Sequence, residues 1–188
     1  MSNPDDVPTL VSKALHNSLV SGWLNNTRNE TGRLLATLAA SREGIVAEAS
    51  TGSGTGVAWL RSGARSGTHV ICVENDVERA ARARETLDGA DVEVLDGGCE
   101  VLRQRGPFSM LYMAGTTAHH VDRDLVHDLV EPGGLVVIDD FNPSDSWPPR
   151  DETGHVDQLR QGWLSDDRYS SSEVVVAADL SVVLATRR

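Results

Sequence analysis

Three groups of residues in this sequence have types and spacing suited to chemistry. The first is the run Glu48-Ala49-Ser50-Thr51-Gly52-Ser53-Gly54-Thr55-Gly56, in which an apolar stretch, Ile45 to Ala47, ends in a carboxylate and then in closely spaced glycines. Glycines at the end of a strand let the backbone turn tightly and let a ligand approach where a Cβ would collide. The second is Glu74, which closes the apolar run His69-Val70-Ile71-Cys72-Val73 about 20 residues beyond the glycines. An acid at that spacing is placed to accept hydrogen bonds from ribose hydroxyls, although a solvated strand-end Glu would read the same. The third comprises His119 and His120 with Asp139 and Asp140, titratable side chains that follow two further apolar runs. A neutral imidazole takes a proton near pH 7, whereas a solvated Asp with a pKa near 3.9 suits orientation of an acceptor better than deprotonation, so a histidine is the expected base.

These residues need a scaffold that brings strand ends together, and the hydrophobic periodicity supplies one. Strands are expected near residues 45–49, 69–74, 91–95, 109–114 and 134–138, most of them continuously apolar, as in strands covered on both faces. Between them lie amphipathic helical runs, for example Val77, Ala80, Ala81, Arg84 and Leu87, and Val121, Leu125, Val126, Leu129 and Val130, the latter ended by Pro132-Gly133-Gly134. Alternation of this kind points to β-α-β units and a parallel sheet. Two helical stretches precede the first strand, with Val11, Ala14, Leu15 and Leu19 in one and Leu34, Leu35, Leu38 and Ala39 in the other. After a Pro-rich segment, 142–150, a short helix around Val156, Leu159, Trp163 and Leu164 leads to two β-rich runs, 173–177 and 181–186. The residues between those runs are too few for a parallel crossover, so they form a hairpin with one strand antiparallel to the rest.

Composition narrows the function classes. The 188 residues suit one domain, with N-terminal helices in 1–40 and a sheet core in 41–188. Seventeen Lys and Arg against 28 Asp and Glu give a formal net charge of −11, which repels phosphate backbones and anionic lipid surfaces; no nucleic-acid or membrane partner is expected. No stretch approaches the roughly 20 apolar residues of a membrane span, and the polar, acidic start lacks a signal-peptide pattern, so the expected location is the cytoplasm. Cys72 and Cys99 lack metal-site spacing and read as free thiols.

Taken in order, Glu48 to Gly56, Val73-Glu74-Asn75-Asp76, Gly106-Pro107-Phe108 and Pro132 to Asp140 make the sequence, over residues 28–188, resemble class I S-adenosylmethionine-dependent methyltransferases. Arg160-Gln161-Gly162-Trp163-Leu164 and Ala185-Thr186-Arg187 are similar to patterns in small bacterial members of the O-methyltransferase branch. The resemblance implies a doubly wound, mainly parallel seven-stranded Rossmann-like sheet in the order 3-2-1-4-5-7-6, strand 7 antiparallel. It also implies S-adenosylmethionine as cofactor, held by Glu48, Ser50, Gly52, Gly54, Gly56, Glu74, Asp96 and Gly97, and a small, hydroxylated acceptor; His119, His120 and Asp139 are the catalytic candidates by their position beyond the ends of the fourth and fifth strands. A homodimer paired through the N-terminal helices is the expected assembly.

Three positions depart from that family. Ser50 stands where the family has glycine, narrowing the space beneath the methionine moiety. Asp96-Gly97-Gly98 replaces the family's Gly-Asp, so Asp96 either substitutes for the adenine-binding acid or the acid is missing. Ala114 stands where the metal-dependent enzymes have an acid, and no metal site is expected. A cofactor-binding protein without turnover and an NAD-binding protein remain as alternatives; the C-terminal hairpin weighs against the second.

Overall fold

A computed structural model describes residues 7–188. Seven strands form one sheet in the order β3-β2-β1-β4-β5-β7-β6: β1 Ile45–Ala49, β2 His69–Glu74, β3 Val92–Asp96, β4 Phe108–Ala114, β5 Val130–Phe141, β6 Tyr169–Ala177 and β7 Leu180–Arg187. The first five pair in parallel, whereas β7 runs antiparallel to both β5 and β6. The expected strand order and the antiparallel β7 are both present.

Alternation along the strands divides the core into two layers. Ala47, Ile71, Leu111, Val136 and Val183 face one layer with Val126, Leu129 and Trp163, while Val46, Val70, Met110, Val137 and Val182 face the other with Val11, Leu35, Val57 and Leu60. A pleated strand sends successive side chains to opposite faces, so strands buried on both sides must be apolar throughout. The second layer is covered by helices α1 Thr9–Val20, α2 Asn29–Ala39, α3 Thr55–Gly63 and α4 Val77–Leu87. The first is covered by the 3-10 turn Cys99–Gln104, the short α5 Gly115–Ala118, α6 Arg123–Leu129 and α7 Gln158–Ser165. No helix among the described residues is long and apolar enough to cross a membrane.

Three local expectations are corrected. Pro132-Gly133-Gly134 does not separate a helix from a strand: β5 already begins at Val130, which pairs with Phe108, and the irregularity appears as a register shift before Met110↔Leu135. Val121 lies before α6, whose start is capped by the Asp122 carboxylate accepting from Asp124 N–H at 2.9 Å. Val156 pairs with Arg150 in an isolated bridge instead of opening α7, which Asp157 caps.

Candidate cofactor and acceptor clefts

All parallel strands end at the same sheet edge, and the chain crosses from one face to the other between β1 and β4. A crevice forms where connections diverge in this way. Here it is a cleft of about 730 Å³ lined by residues from the ends of β1, β2, β4 and β5, by Gly98, Cys99 and Glu100, and by the segment joining α1 to α2.

The glycine-rich turn forms its floor. Ser50 has φ +63° and Gly52 φ +56°, while Gly54, at φ +88°, is the N-cap of α3. The left-handed region explains the glycine that Ser50 replaces: a Cβ there meets the following carbonyl at a cost of about 1–2 kcal/mol. Gly56 is required by packing, because a Cβ would collide with Glu48 Oε1 and the Tyr112 ring. Gly54 lies outside the cleft wall, although Ser50, Gly52 and Gly56 line it.

Glu74 is buried, 2% exposed, and lines the cleft. Its Oε2 accepts from Gly52 N–H at 2.8 Å, tying the glycine turn to β2. Oε1 is crowded: it accepts from Asp76 N–H at 3.0 Å and from Arg79 Nε and Nη2 at 3.1 and 2.8 Å. Arg79 in turn stacks over the Trp23 ring at 5.2 Å. The sequence pattern gave no sign that Arg79, one turn into α4, would claim the same carboxylate.

Trp23 sits in the connecting segment 21–28, with its indole against Gly52. That segment straps the glycine turn. Asn26 Oδ1 accepts from Ser53 Oγ, Thr55 Oγ1 and Ser18 Oγ at 2.5, 3.0 and 2.9 Å, and Arg28 reaches Asp179 at the β6–β7 turn through two bonds of 3.0 and 3.1 Å. The only sequence signal for the strap was the polar composition of Asn25-Asn26-Thr27-Arg28 between two amphipathic runs.

At the other end of the cleft lies a buried polar cluster. Glu48 accepts from Thr51 Oγ1 at 3.1 Å, and burial pushes its carboxyl well above the usual range. Tyr112 donates to Asp139 Oδ2 at 3.0 Å and contacts Thr27 Oγ1 at 3.1 Å. Asp139 is 5% exposed, so burial pushes its pKa up to about 7, with Asp140 adding to the rise and Tyr112 opposing it. The nearby Thr31 hydroxyl also helps hold the value down. The premise that Asp139 is solvated, and hence a poor base, is corrected by this burial.

The two histidines are not brought together. Both are exposed on the short stretch after α5; His120 lines the first cleft and His119 lines a neighbouring cleft of about 990 Å³. Asp96 and Gly97 lie outside both walls. Asp96 pairs with Arg84 at 2.7 Å, Gly97 N–H bonds Glu74 O at 3.0 Å, and the cleft is lined instead by Gly98, Cys99 and Glu100. Trp147 is exposed and lines neither cleft. Cys99 borders the first cleft with its thiol raised to about 11 by burial, so it is not a thiolate nucleophile.

No protein-family model and no curated protein matches the chain. Solved structures do. A cofactor-bound protein from MTB is 19% identical, with 100% of this chain and 99% of that one aligned and a TM-score of 0.75. The O-methyltransferase TomG from Streptomyces achromogenes, involved in tomaymycin synthesis and solved with S-adenosylmethionine (SAM), is 18% identical over 97% of this chain and 92% of that one, with a TM-score of 0.74. An O-methyltransferase from Bacillus cereus in complex with S-adenosylhomocysteine (SAH) is 16% identical over 97% and 92%, with a TM-score of 0.71. The chain therefore has the class I O-methyltransferase-like fold.

Proposed function

We propose that this protein transfers the methyl group of SAM to a hydroxyl of a small acceptor, with Asp139 as the proton acceptor and without a metal ion. The observation that carries this reading is the pair of buried carboxylates lining one cleft, Glu74 at the end of β2 and Asp139 near the end of β5. A cleft of about 730 Å³ is in the range of small-molecule sites.

The residues fit the cofactor at both ends. Glu74 Oε2 accepts one hydrogen bond, from Gly52 N–H, and keeps a lone pair for a ribose hydroxyl. Ser50, Gly52 and Gly56 line the floor, with the first two in left-handed backbone that brings the main chain to the surface. SAM supplies a methyl group on a sulfonium whose departure leaves a neutral thioether. The Asp139 carboxyl takes the proton that the acceptor hydroxyl loses, while Tyr112 holds Oδ2 and fixes the carboxyl plane. A base with a pKa of about 7 is half ionised at neutral pH, which suits general-base assistance. Ala114 offers no oxygen at the end of β4, and adjacent Asp139 and Asp140 diverge, one buried and one exposed, so they do not converge on one cation.

A second reading, cofactor binding without transfer, is favoured by one observation: Arg79 already occupies Glu74 Oε1. Calorimetry with SAH, followed by labelled-methyl transfer from SAM to a panel of phenols in the presence of EDTA, separates the two. Binding with turnover supports transfer, binding without turnover supports the second reading, and no binding defeats both.

A further inference from the structure

A carboxylate offers about four lone-pair sites, two on each oxygen, and in Glu74 the two oxygens are loaded unequally. Oε2 receives one donor, Gly52 N–H at 2.8 Å, whereas Oε1 receives three, Asp76 N–H, Arg79 Nε and Arg79 Nη2 at 3.0, 3.1 and 2.8 Å. Oε1 is saturated, and one site remains, on Oε2. A carboxylate that takes both hydroxyls of a ribose needs two.

Arg79 could vacate Oε1 only by leaving a set of contacts that grip it from several sides. Its Nη2 also donates to Asn75 Oδ1 at 3.2 Å, Nη1 lies 3.7 Å from Asp76 Oδ2, and the Trp23 ring stacks against the guanidinium at 5.2 Å. Trp23 is fixed in turn, its Nε1 donating to Asn25 O at 2.6 Å and its indole lying against Gly52. The start of α4 adds a backbone anchor, because the Asp76 carboxylate accepts from Arg79 N–H at 2.9 Å. Swinging the side chain away breaks two charge-assisted hydrogen bonds and a cation–π contact, and a second ribose hydroxyl returns one hydrogen bond. It also strips a carboxylate that is 2% exposed of the cation that neutralises it. The balance keeps Arg79 in place.

From this pairing we propose that Arg79 is a specificity-determining residue of the first cleft: by filling Glu74 Oε1 it lets the carboxylate take one ribose hydroxyl, through Oε2, and makes the protein tolerant of nucleosides that lack the other. The inference rests on the reading of SAM as the ligand of this cleft and deepens it, since it concerns how much of the ribose is read.

Three ligands test it: SAH, its 2′-deoxy analogue and its 3′-deoxy analogue, each titrated calorimetrically into the parent protein and into Arg79→Met. In the parent, one analogue is expected to bind about 10- to 100-fold more weakly than SAH, the scale of a lost hydrogen bond to a charged group, and the other within about threefold of SAH. Arg79→Met keeps an apolar stem against Trp23 and removes every side-chain donor to Oε1. The freed site admits the second hydroxyl, so the tolerated analogue should fall at least about fivefold behind SAH in the variant. Circular dichroism checks that the variant is folded; if it is not, the parent series decides alone. The inference is overturned if both analogues lose affinity together in the parent, if neither does, or if folded Arg79→Met keeps the parent's tolerance. Any of these patterns with SAH bound leaves the cofactor reading standing, whereas failure of SAH itself to bind the parent overturns that reading and this inference with it.

Discussion

Replacing Asp139 by Asn tests both the burial of this carboxyl and its assignment as base. The side chain keeps its shape and retains an oxygen for the Tyr112 hydroxyl, which now lies 3.0 Å from Oδ2. Burial raises the Asp139 pKa from 3.8 to about 7, so the folded protein holds a proton that the unfolded chain releases near pH 4. Its contribution to stability is fully present below about pH 4 and is lost as pH rises through about 7, because the folded state then binds more protons than the unfolded one. At about 1.4 kcal/mol per pH unit, the part falling between pH 5.5 and pH 7 is about 2 kcal/mol. Glu48 shifts in the same direction and is present in both proteins, but Asp139 adds to its rise, so the comparison of variant with parent reads Asp139 together with that coupling. Urea unfolding, followed by tryptophan fluorescence at about pH 5.5 and about pH 8.5, should therefore show Asp139→Asn gaining about 2 kcal/mol on the parent across that interval. Parallel pH profiles, agreeing within about 0.5 kcal/mol, would refute the buried, proton-retaining carboxyl and remove the ground for its role as base.

In a phenol methyl-transfer assay, Asp139→Asn should lower the rate by about 100-fold or more, whereas His120→Gln, altering an exposed side chain, should cost well under tenfold; the reverse order would return the role to His120. Glu74→Gln should weaken SAH binding by about 1–3 kcal/mol in calorimetry, with unchanged affinity showing that Glu74 does not meet the ribose. Ser50→Gly relieves a left-handed conformation and should raise unfolding stability by about 1 kcal/mol; a loss of stability would contradict the backbone geometry. Arg160 is fully buried and bonds Asn142 O, Arg150 O and Glu173 Oε1, so Arg160→Met should cost about 3–5 kcal/mol by leaving Glu173 and Asp157 without their cation. Thermal denaturation close to that of the parent would show the cluster to be replaceable.

The sequence by itself determined the strands and the antiparallel hairpin, because each element is encoded within a window of five to twelve residues; the order of the strands followed from the family resemblance. Continuous apolar runs such as Val70 to Val73 and Leu111 to Met113 can bury both faces only inside a covered sheet. The glycine turn was legible for the same local reason, since Gly52 and Gly54 mark left-handed positions whatever surrounds them. Glu74 could be located at a strand end from spacing alone.

Tertiary structure decided which of those residues have partners. Arg79 and Glu74 are five positions apart, but whether a guanidinium reaches a carboxylate depends on how α4 packs against β2 and on Trp23 arriving from the strap. Asp96 and Asp139 each close an apolar strand and look alike in sequence, yet β3 is an edge strand that leaves Asp96 free to pair outward with Arg84, while β5 is central and buries Asp139. Periodicity reports which face of an element is apolar. The dielectric around a carboxyl, and hence its proton affinity, is set by the other elements that enclose it, contributed here from β4, from the strap and from α2 through Tyr112, Thr27 and Thr31.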